Sequence, residues 1–327
     1  MSTAHSPLKP PLALIAGPTA SGKSDLAVRL AQALHRGGRQ ATIVNADSAQ
    51  VYADLAILSA RPDDREMGGI RHLLFGAWDG AQACSAADWA SAARDVIARL
   101  HSEGVVPILC GGTGLYLRTL LDGIAPIPPI DPTIRTAVRA LDQPVARAAL
   151  EQEDPAAAAR LAPGDSARTM RALEVIRSTG RTLAHWQQEK RGGIAGAVTL
   201  HPLVLLPERE WLYARCDRRF ETMLAAGAEA EVATLLARQL DPGLPVMRAI
   251  GVPEIAAMLR GEKTREAAAE AGKLATHRYA KRQYTWFRHQ PPAAWARVAA
   301  APDDVAEAFP ALFATSSANA LSAVPQS

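Results

Sequence analysis

Residues 17–24 read Gly-Pro-Thr-Ala-Ser-Gly-Lys-Ser and match the pattern Gly-x-x-x-x-Gly-Lys-Ser/Thr. The chemistry of such a segment is phosphate binding. Its glycines let backbone N–H groups converge on phosphate oxygens, and the helix that follows presents its positive end. Lys23 is spaced to neutralise an outer phosphate, and Ser24 to offer a hydroxyl to Mg²⁺. Gly17, Pro18, Thr19, Ala20, Ser21, Gly22, Lys23 and Ser24 are therefore the candidate ligands of a diphosphate or triphosphate, with Ser24 the candidate metal ligand. The bland alternative is a plain strand-to-helix turn. Chance produces the four defining positions in roughly one chain in a hundred of this length, and the strand–loop–helix context makes that rarer.

A second chemical group follows at Asn45-Ala46-Asp47-Ser48-Ala49-Gln50-Val51-Tyr52. A carboxylate at a sheet edge facing bound phosphate can take a proton from an attacking nucleophile. It can equally cap a helix N-terminus, and chemistry alone leaves both roles open for Asp47. A motor-type NTPase usually carries an aspartate after a further apolar strand, to hold Mg²⁺. Here Val105–Cys110 runs instead into Gly111-Gly112-Thr113. That argues against an ATP-driven machine and leaves a small-molecule kinase as one reading.

The elements that must position these groups alternate. Leu12–Ala16 is a compact apolar run that predicts a buried strand, and Leu26, Ala27, Leu30, Ala31 and Leu34 recur at helical spacing up to Gly37-Gly38. Ala41–Val44 and Val105–Cys110 predict further strands, and Asp88–His101 a helix between them. Such alternation implies an α/β fold, a doubly wound parallel sheet with ligands at the carboxyl ends of its strands. At Pro126–Pro132 four prolines in seven residues break any regular element. From there to about Pro202 the chain reads as helices, and Leu203–Leu206 returns to strand character. The expected organisation is a core of residues 12–125 and 203–312 with an inserted helical lobe at 126–202, between flexible ends at 1–11 and 313–327. Long helices are expected at about Glu208–Arg238 and Glu254–Arg288.

Five segments in this order carry a family resemblance: GPTASGKS (17–24), ADSAQVY (46–52), GIRHLL (69–74), CGGTGLYL (110–117) and AKRQYTWFR (280–288). The set resembles the bacterial tRNA dimethylallyltransferases, also called tRNA isopentenyltransferases, from about residue 12 to about residue 290. The phosphate loop is widely shared, whereas the second and fifth segments are specific to that family. The resemblance implies transfer of a dimethylallyl group from dimethylallyl diphosphate to the N6 amine of the adenosine adjacent, on the 3′ side, to the anticodon, in tRNAs that read codons starting with U. It implies Asp47, Thr19 and Arg219 as the catalytic set, Asp47 as the group that takes the amine proton, and Mg²⁺ on Ser24. It also implies contacts to tRNA from Asp47, Ser48, Ala49, Gln50, Thr113 and Arg135. Further contacts would come from Ala167, Arg168, Thr169, Met170 and Arg171, and from Arg248 and Gly251. The last set is Lys281, Arg282, Gln283, Tyr284, Thr285, Trp286, Phe287 and Arg288. Val252 and Pro253 depart from the family pattern, which has an aromatic and a basic residue there.

Charge placement fits an RNA partner better than the total does. The formal net charge is only +3, yet Ala271–Pro302 contains no Asp or Glu and six Lys or Arg residues. His277, Lys281, Tyr284 and Arg288 fall near one helix face, where bases could stack beside phosphate contacts. The alternative is a solvated cationic helix with Trp286 and Phe287 packed inward. Cys84, Cys110 and Cys216 lie far apart, so neither a disulfide framework nor a zinc module is expected. Leu12–Ala16 is too short for a signal-peptide core or a membrane span, so no membrane contact is expected; the cysteine pattern fits a reduced, cytoplasmic setting, and a monomer is expected. His72, beside Leu73 and Leu74, is expected to make a structural hydrogen bond rather than to catalyse.

Overall fold

A computed structural model describes residues 9–314. Six strands form one sheet: β1 (Pro11–Ala16), β2 (Ala41–Asn45), β3 (His72–Leu73), β4 (Val106–Gly111), β5 (Thr199–Leu205) and β6 (Ala296–Val298). Their order is β3-β2-β4-β1-β5-β6, and every pairing is parallel. The doubly wound parallel sheet expected from the alternating pattern is therefore present. β1, β2 and β4 have almost no exposed residue, as strands covered on both faces require.

The helices, in chain order, are α1 (Lys23–Arg36), α2 (Asp64–Met67), α3 (Ala86–Ser102), α4 (Gly114–Asp122), α5 (Pro132–Arg139), α6 (Gln143–Glu153), α7 (Pro155–Arg160), α8 (Ser166–Thr179), α9 (Leu183–Trp186), α10 (Arg209–Ala225), α11 (Ala228–Ala237), α12 (Val252–Leu259), α13 (Arg265–His289), α14 (Val305–Ala308) and α15 (Pro310–Phe313). The apolar stripe of α1, Leu26, Ala27, Leu30, Ala31 and Leu34, packs on Ala13, Ile15, Ile43 and Ile108 of the sheet. Val305 of α14, Leu312 of α15 and Phe309 between them complete that core.

The chain forms two compact units: one up to Arg118 and again from Ala195 onward, the other Thr119–Ile194. The second is helical and has its own core of Val138, Ala146, Leu150, Ala157, Ala158, Ala172 and Leu173. Pro132 occupies the first turn of α5 behind the cap Asp131, whose carboxylate accepts the N–H groups of Thr133 and Ile134. The proline-rich break thus starts a helix.

Several boundaries differ from the sequence reading. β5 starts at Thr199, four residues before the strand expected at Leu203, because its edge residues Thr199–Pro202 are half polar and exposed or half-buried. The unit ending at Ile194 accordingly stops short of the lobe expected to reach residue 202. Each expected long helix is two. Gly227, in left-handed conformation (φ 104°), separates α10 from α11, and Gly261 (φ 75°) precedes the Thr264 cap of α13. The short edge strands β3 and β6 lacked a readable period. Most of the ends expected to be flexible lie outside the described residues; of the remainder, Pro11 belongs to β1 and Phe313 to α15.

The Gly-Gly-Thr-Gly segment after β4 is a bearing surface. A Cβ on Gly111 would lie 2.2 Å from the Ala46 backbone, one on Gly112 2.3 Å from Gln283 Nε2, and one on Gly114 2.4 Å from the Trp286 ring. Glycine here lets β4, the Asp47 loop and α13 approach at backbone distance. Gly111→Ala, which meets backbone rather than a mobile side-chain end, is expected to destabilise the protein by about 2–3 kcal/mol, read as a lowered urea midpoint at unchanged slope.

Candidate active site

The phosphate loop leaves β1 at Gly17 and enters α1 through Gly22, whose left-handed φ of 92° is the conformation glycine adopts without cost. Ala20 also has positive φ (60°), so the loop holds a tight, committed shape. Its Thr19 N–H donates to Gln283 Oε1 (2.8 Å), while Gln283 Nε2 donates to the Gly112 carbonyl (2.9 Å). One amide from α13 therefore ties the phosphate loop to the end of β4.

Lys23 is buried, and its ammonium donates to the Pro18 carbonyl at 3.1 Å. Burial pulls its pKa down, and the neighbouring Asp47 opposes that shift. Arg219, on α10, is likewise lowered by burial and held charged by Asp47. Two desolvated cations thus face one carboxylate, and the excess positive charge is complementary to an anion. Cys110 and Cys216, whose thiols burial pushes up to about 11, are neutral neighbours of Lys23.

Asp47 is fixed by its neighbours. Its N–H donates to Asn45 Oδ1 (2.8 Å), Asn45 Nδ2 donates to the Asp47 carbonyl (3.0 Å), and Ala49 N–H donates to Asp47 Oδ1 (3.0 Å). Asn45 is anchored in turn by Trp89, whose indole donates to the Asn45 carbonyl. The segment after Asp47 is a series of turns, so Asp47 closes an Asx turn and caps no helix. Ser48 N–H donates to Thr113 Oγ1 (2.9 Å), and the Thr113 hydroxyl donates to Ser48 Oγ (3.2 Å).

Several of these groups border one cavity of about 330 Å³ within the sheet-bearing unit. Thr19, Ala20, Asp47, Ser48, Ala49, Arg219, Arg248 and Arg282 supply its polar rim. Tyr52, Leu55, Leu58, Cys84, Tyr116, Phe220, Met223 and Ile250 supply an apolar lining that sequence reasoning did not assign. Tyr52 and Tyr116 do stand inside the quoted motif segments, which was their one available signal. Tyr116 stacks on Trp89 (4.5 Å between centroids), and Tyr279 joins the Ser48–Thr113 hydroxyl pair, its own pKa raised chiefly by burial.

Other expected contact residues divide by exposure. Lys281, Arg282, Thr285 and Arg288 are exposed on α13, and Tyr284 and Trp286 are half-buried. Arg209 lies over the Tyr284 ring and Arg118 over Trp286. Gln283 and Phe287 are corrections: the first is 5% exposed and spent on the phosphate loop, the second is fully buried. Helical periodicity turns those two positions inward, as the cationic-helix alternative had Phe287. Gln50 also works internally, its amide donating to the carbonyls of Ser59 and Ala60. Gly251 is buried at the start of α12, Arg248 is exposed, and Val252 is buried with Pro253 exposed beside it. In the helical unit Arg135, Ala167 and Arg168 are exposed and Met170 is half-buried, while Thr169 is fully buried in its core. Arg171 and Arg139 both pair with the buried carboxylate of Glu174 (3.5 and 3.0 Å). His72 behaves as expected, with Nδ1 against the Ile70 carbonyl at 2.8 Å.

A family model described as IPP transferase matches residues 50–290. The chain belongs to the IPP transferase family. It is 70% identical over 290 residues to the tRNA dimethylallyltransferase of Erythrobacter litoralis, covering 89% of this chain and 92% of the relative. It is 66% identical over 286 residues to that of Sphingopyxis alaskensis, covering 88% and 92%. Among solved structures, the tRNA isopentenylpyrophosphate transferase of Bacillus halodurans superposes with a TM-score of 0.65 at 31% identity, over 93% of this chain and 95% of that one. A eukaryotic dimethylallyltransferase acting on tRNA superposes with a TM-score of 0.72 at 28% identity, over 85% and 70%. These relatives give the small-molecule kinase reading no support. No helix among the described residues is long and apolar enough to cross a membrane.

Replacing Gln283 by Leu keeps volume but strands the Thr19 N–H and the Gly112 carbonyl. The variant is expected to lose about 1–3 kcal/mol of stability per stranded buried group at most, and to bind inorganic pyrophosphate more weakly by calorimetry.

Proposed function

We propose that the chain transfers a dimethylallyl group from dimethylallyl diphosphate to the N6 amine of the adenosine 3′ to the anticodon, in tRNAs that read codons starting with U. The observation that carries this reading is the shared cavity. Phosphate-loop residues Thr19 and Ala20, the half-buried cation Arg219, the anchored carboxylate of Asp47 and an apolar wall all border it, with the buried Lys23 close to both charges.

In this reading the Thr19–Ser24 backbone, Lys23 and Arg219 take the diphosphate, which requires Lys23 to leave the Pro18 carbonyl. The amine nitrogen attacks C1 of the allyl group, the N–C bond forms, and the C1–O bond breaks as diphosphate departs. Asp47 takes the proton that the amine sheds. Charge placed in advance around the leaving group carries the rate, with no covalent intermediate on the protein. The base must leave its stack to enter, since the amine is unreachable inside it. Ser48 and Tyr279 border the same cavity as Asp47, with the Thr113 hydroxyl behind them bonded to Ser48.

Ser24, exposed at the first turn of α1, is the residue that fits Mg²⁺. No cluster of three or more His, Cys, Asp or Glu among the described residues forms a metal cage, so the ion would draw its other ligands from diphosphate and water. When bound it would neutralise part of the leaving-group charge. Lys281, Arg282 and Arg288 on α13, and Arg135, Arg168 and Arg171 in the helical unit, present cations suited to an RNA backbone. The chain is read as working as a monomer, and the free thiols of Cys84, Cys110 and Cys216 suit the cytoplasm.

The test is transfer of label from dimethylallyl diphosphate to an anticodon stem-loop with a run of adenosines, in the presence of Mg²⁺. Asp47→Asn is expected to slow transfer by about 10²–10⁴-fold while RNA affinity stays nearly constant. Phosphate transfer from ATP to a metabolite, with unlabelled RNA, would contradict the reading. Lys281→Ala is expected to reduce the slope of log affinity against log salt by about one; an unchanged slope would remove α13 from the interface.

A further inference from the structure

The apolar side of the cavity is built on a segment without regular structure, and a residue that does not border the cavity holds that segment. Between Tyr52 and Arg61 the chain runs through turns, yet Leu55 and Leu58 are only 1% and 8% exposed and both line the cavity. The carboxylate of Glu231, on the first turn of α11, accepts three consecutive backbone N–H groups there. Ala56 and Ile57 donate to Oε1 at 2.7 and 2.8 Å, and Leu58 to Oε2 at 2.9 Å. Three charge-assisted bonds to adjacent amides fix the position of that turn more tightly than apolar packing alone. On its other side the Leu58 side chain abuts backbone: a Cβ on Gly251 would lie 2.7 Å from Leu58 Cδ2. Leu58 therefore cannot retreat while both restraints hold.

Another part of the lining is braced in a similar way. Phe220 rests on bare helix backbone, its ring 2.1 Å from where a Cβ of Gly272 would stand. Phe220 and Met223 follow Arg219 directly and one turn later on α10, so hydrocarbon lining adjoins the cation assigned to the diphosphate. A hydrocarbon attached to that diphosphate would have Phe220, Met223, Leu55 and Leu58 as its apolar surroundings.

We propose that Glu231 is a positioning residue that sets the length of the allylic chain accepted, by holding Leu55 and Leu58 as the end wall of the donor pocket. This rests on the prenyl-transfer reading above. Loss of the carboxylate frees the turn, lets Leu58 move outward and admits a longer chain. An amide in its place has a single acceptor oxygen and holds the turn in part.

The experiment compares dimethylallyl diphosphate with a ten-carbon allylic diphosphate as donors to the same RNA stem-loop, for the native protein, Glu231→Gln, Glu231→Ala, Leu58→Ala and the double variant. The ratio of kcat/KM for the ten-carbon over the five-carbon donor is expected to rise about tenfold in Glu231→Ala, since a methylene's worth of pocket space is worth at least that factor. Glu231→Gln is expected to give a smaller rise. Leu58→Ala should reproduce the rise, and the double variant should add little to it, because both changes act through one wall. Gly272→Ala, which drives Phe220 inward, should raise the KM of the five-carbon donor and leave that of RNA unchanged. An unaltered donor ratio in both Glu231 variants, or effects confined to the KM of RNA, would overturn the assignment. Should Glu231→Ala fail to fold, the Gln and Gly272→Ala variants still decide. Absence of any transfer by the native protein would instead remove the prenyl-transfer reading itself, before a variant is compared.

Discussion

The side-chain amide of Gln283 joins parts of the chain separated by well over a hundred residues. It accepts the N–H of Thr19 in the phosphate loop and donates to the carbonyl of Gly112 beyond β4. Both partners lie at the carboxyl end of the sheet, on adjacent strands β1 and β4. A phosphate loop needs its amides aimed before a ligand arrives, because any ordering left until binding is subtracted from affinity. Here α13, about 37 Å long at 1.5 Å per residue, delivers that ordering from outside the strand–loop–helix unit. The glycines after β4 exist to let it come close enough.

Around this clamp the electrostatics follow from burial. Lys23 is buried and Arg219 half-buried, and a single carboxylate, Asp47, offsets part of the cost of their desolvation. The Lys23 ammonium donates to the loop's own Pro18 carbonyl. Such an internal bond lets a buried cation be tolerated without a second carboxylate beside it. Asp47 in turn owes its position to Asn45 and, behind it, to the indole of Trp89. The reactive groups are thus held by amides and hydroxyls rather than by further charges.

Much of this was legible in the chain. The phosphate loop could be placed because its function depends on local spacing: two glycines, a lysine and a serine must sit within eight residues. The order strand, helix, strand was readable from compact apolar runs and a helical period of 3.6. The basic run of α13 was visible, but which of its residues face out was less so, and Gln283 and Phe287 proved internal. The breaks at Gly227 and Gly261 were missed because a glycine within an apolar helical pattern reads either as tolerated or as a stop, and only its left-handed φ decides.

The sequence by itself determined the phosphate loop, the parallel α/β class, the carboxylate at Asp47 and the family, since each resides in short-range residue order. Tertiary structure alone decided that Gln283 grips the loop, that Arg219 and Asp47 meet Lys23, and that Leu55, Leu58 and Phe220 wall one cavity. Those relations join residues far apart in the chain through packing and hydrogen bonds. Such contacts leave no period or spacing to read, because only the fold brings their partners within reach.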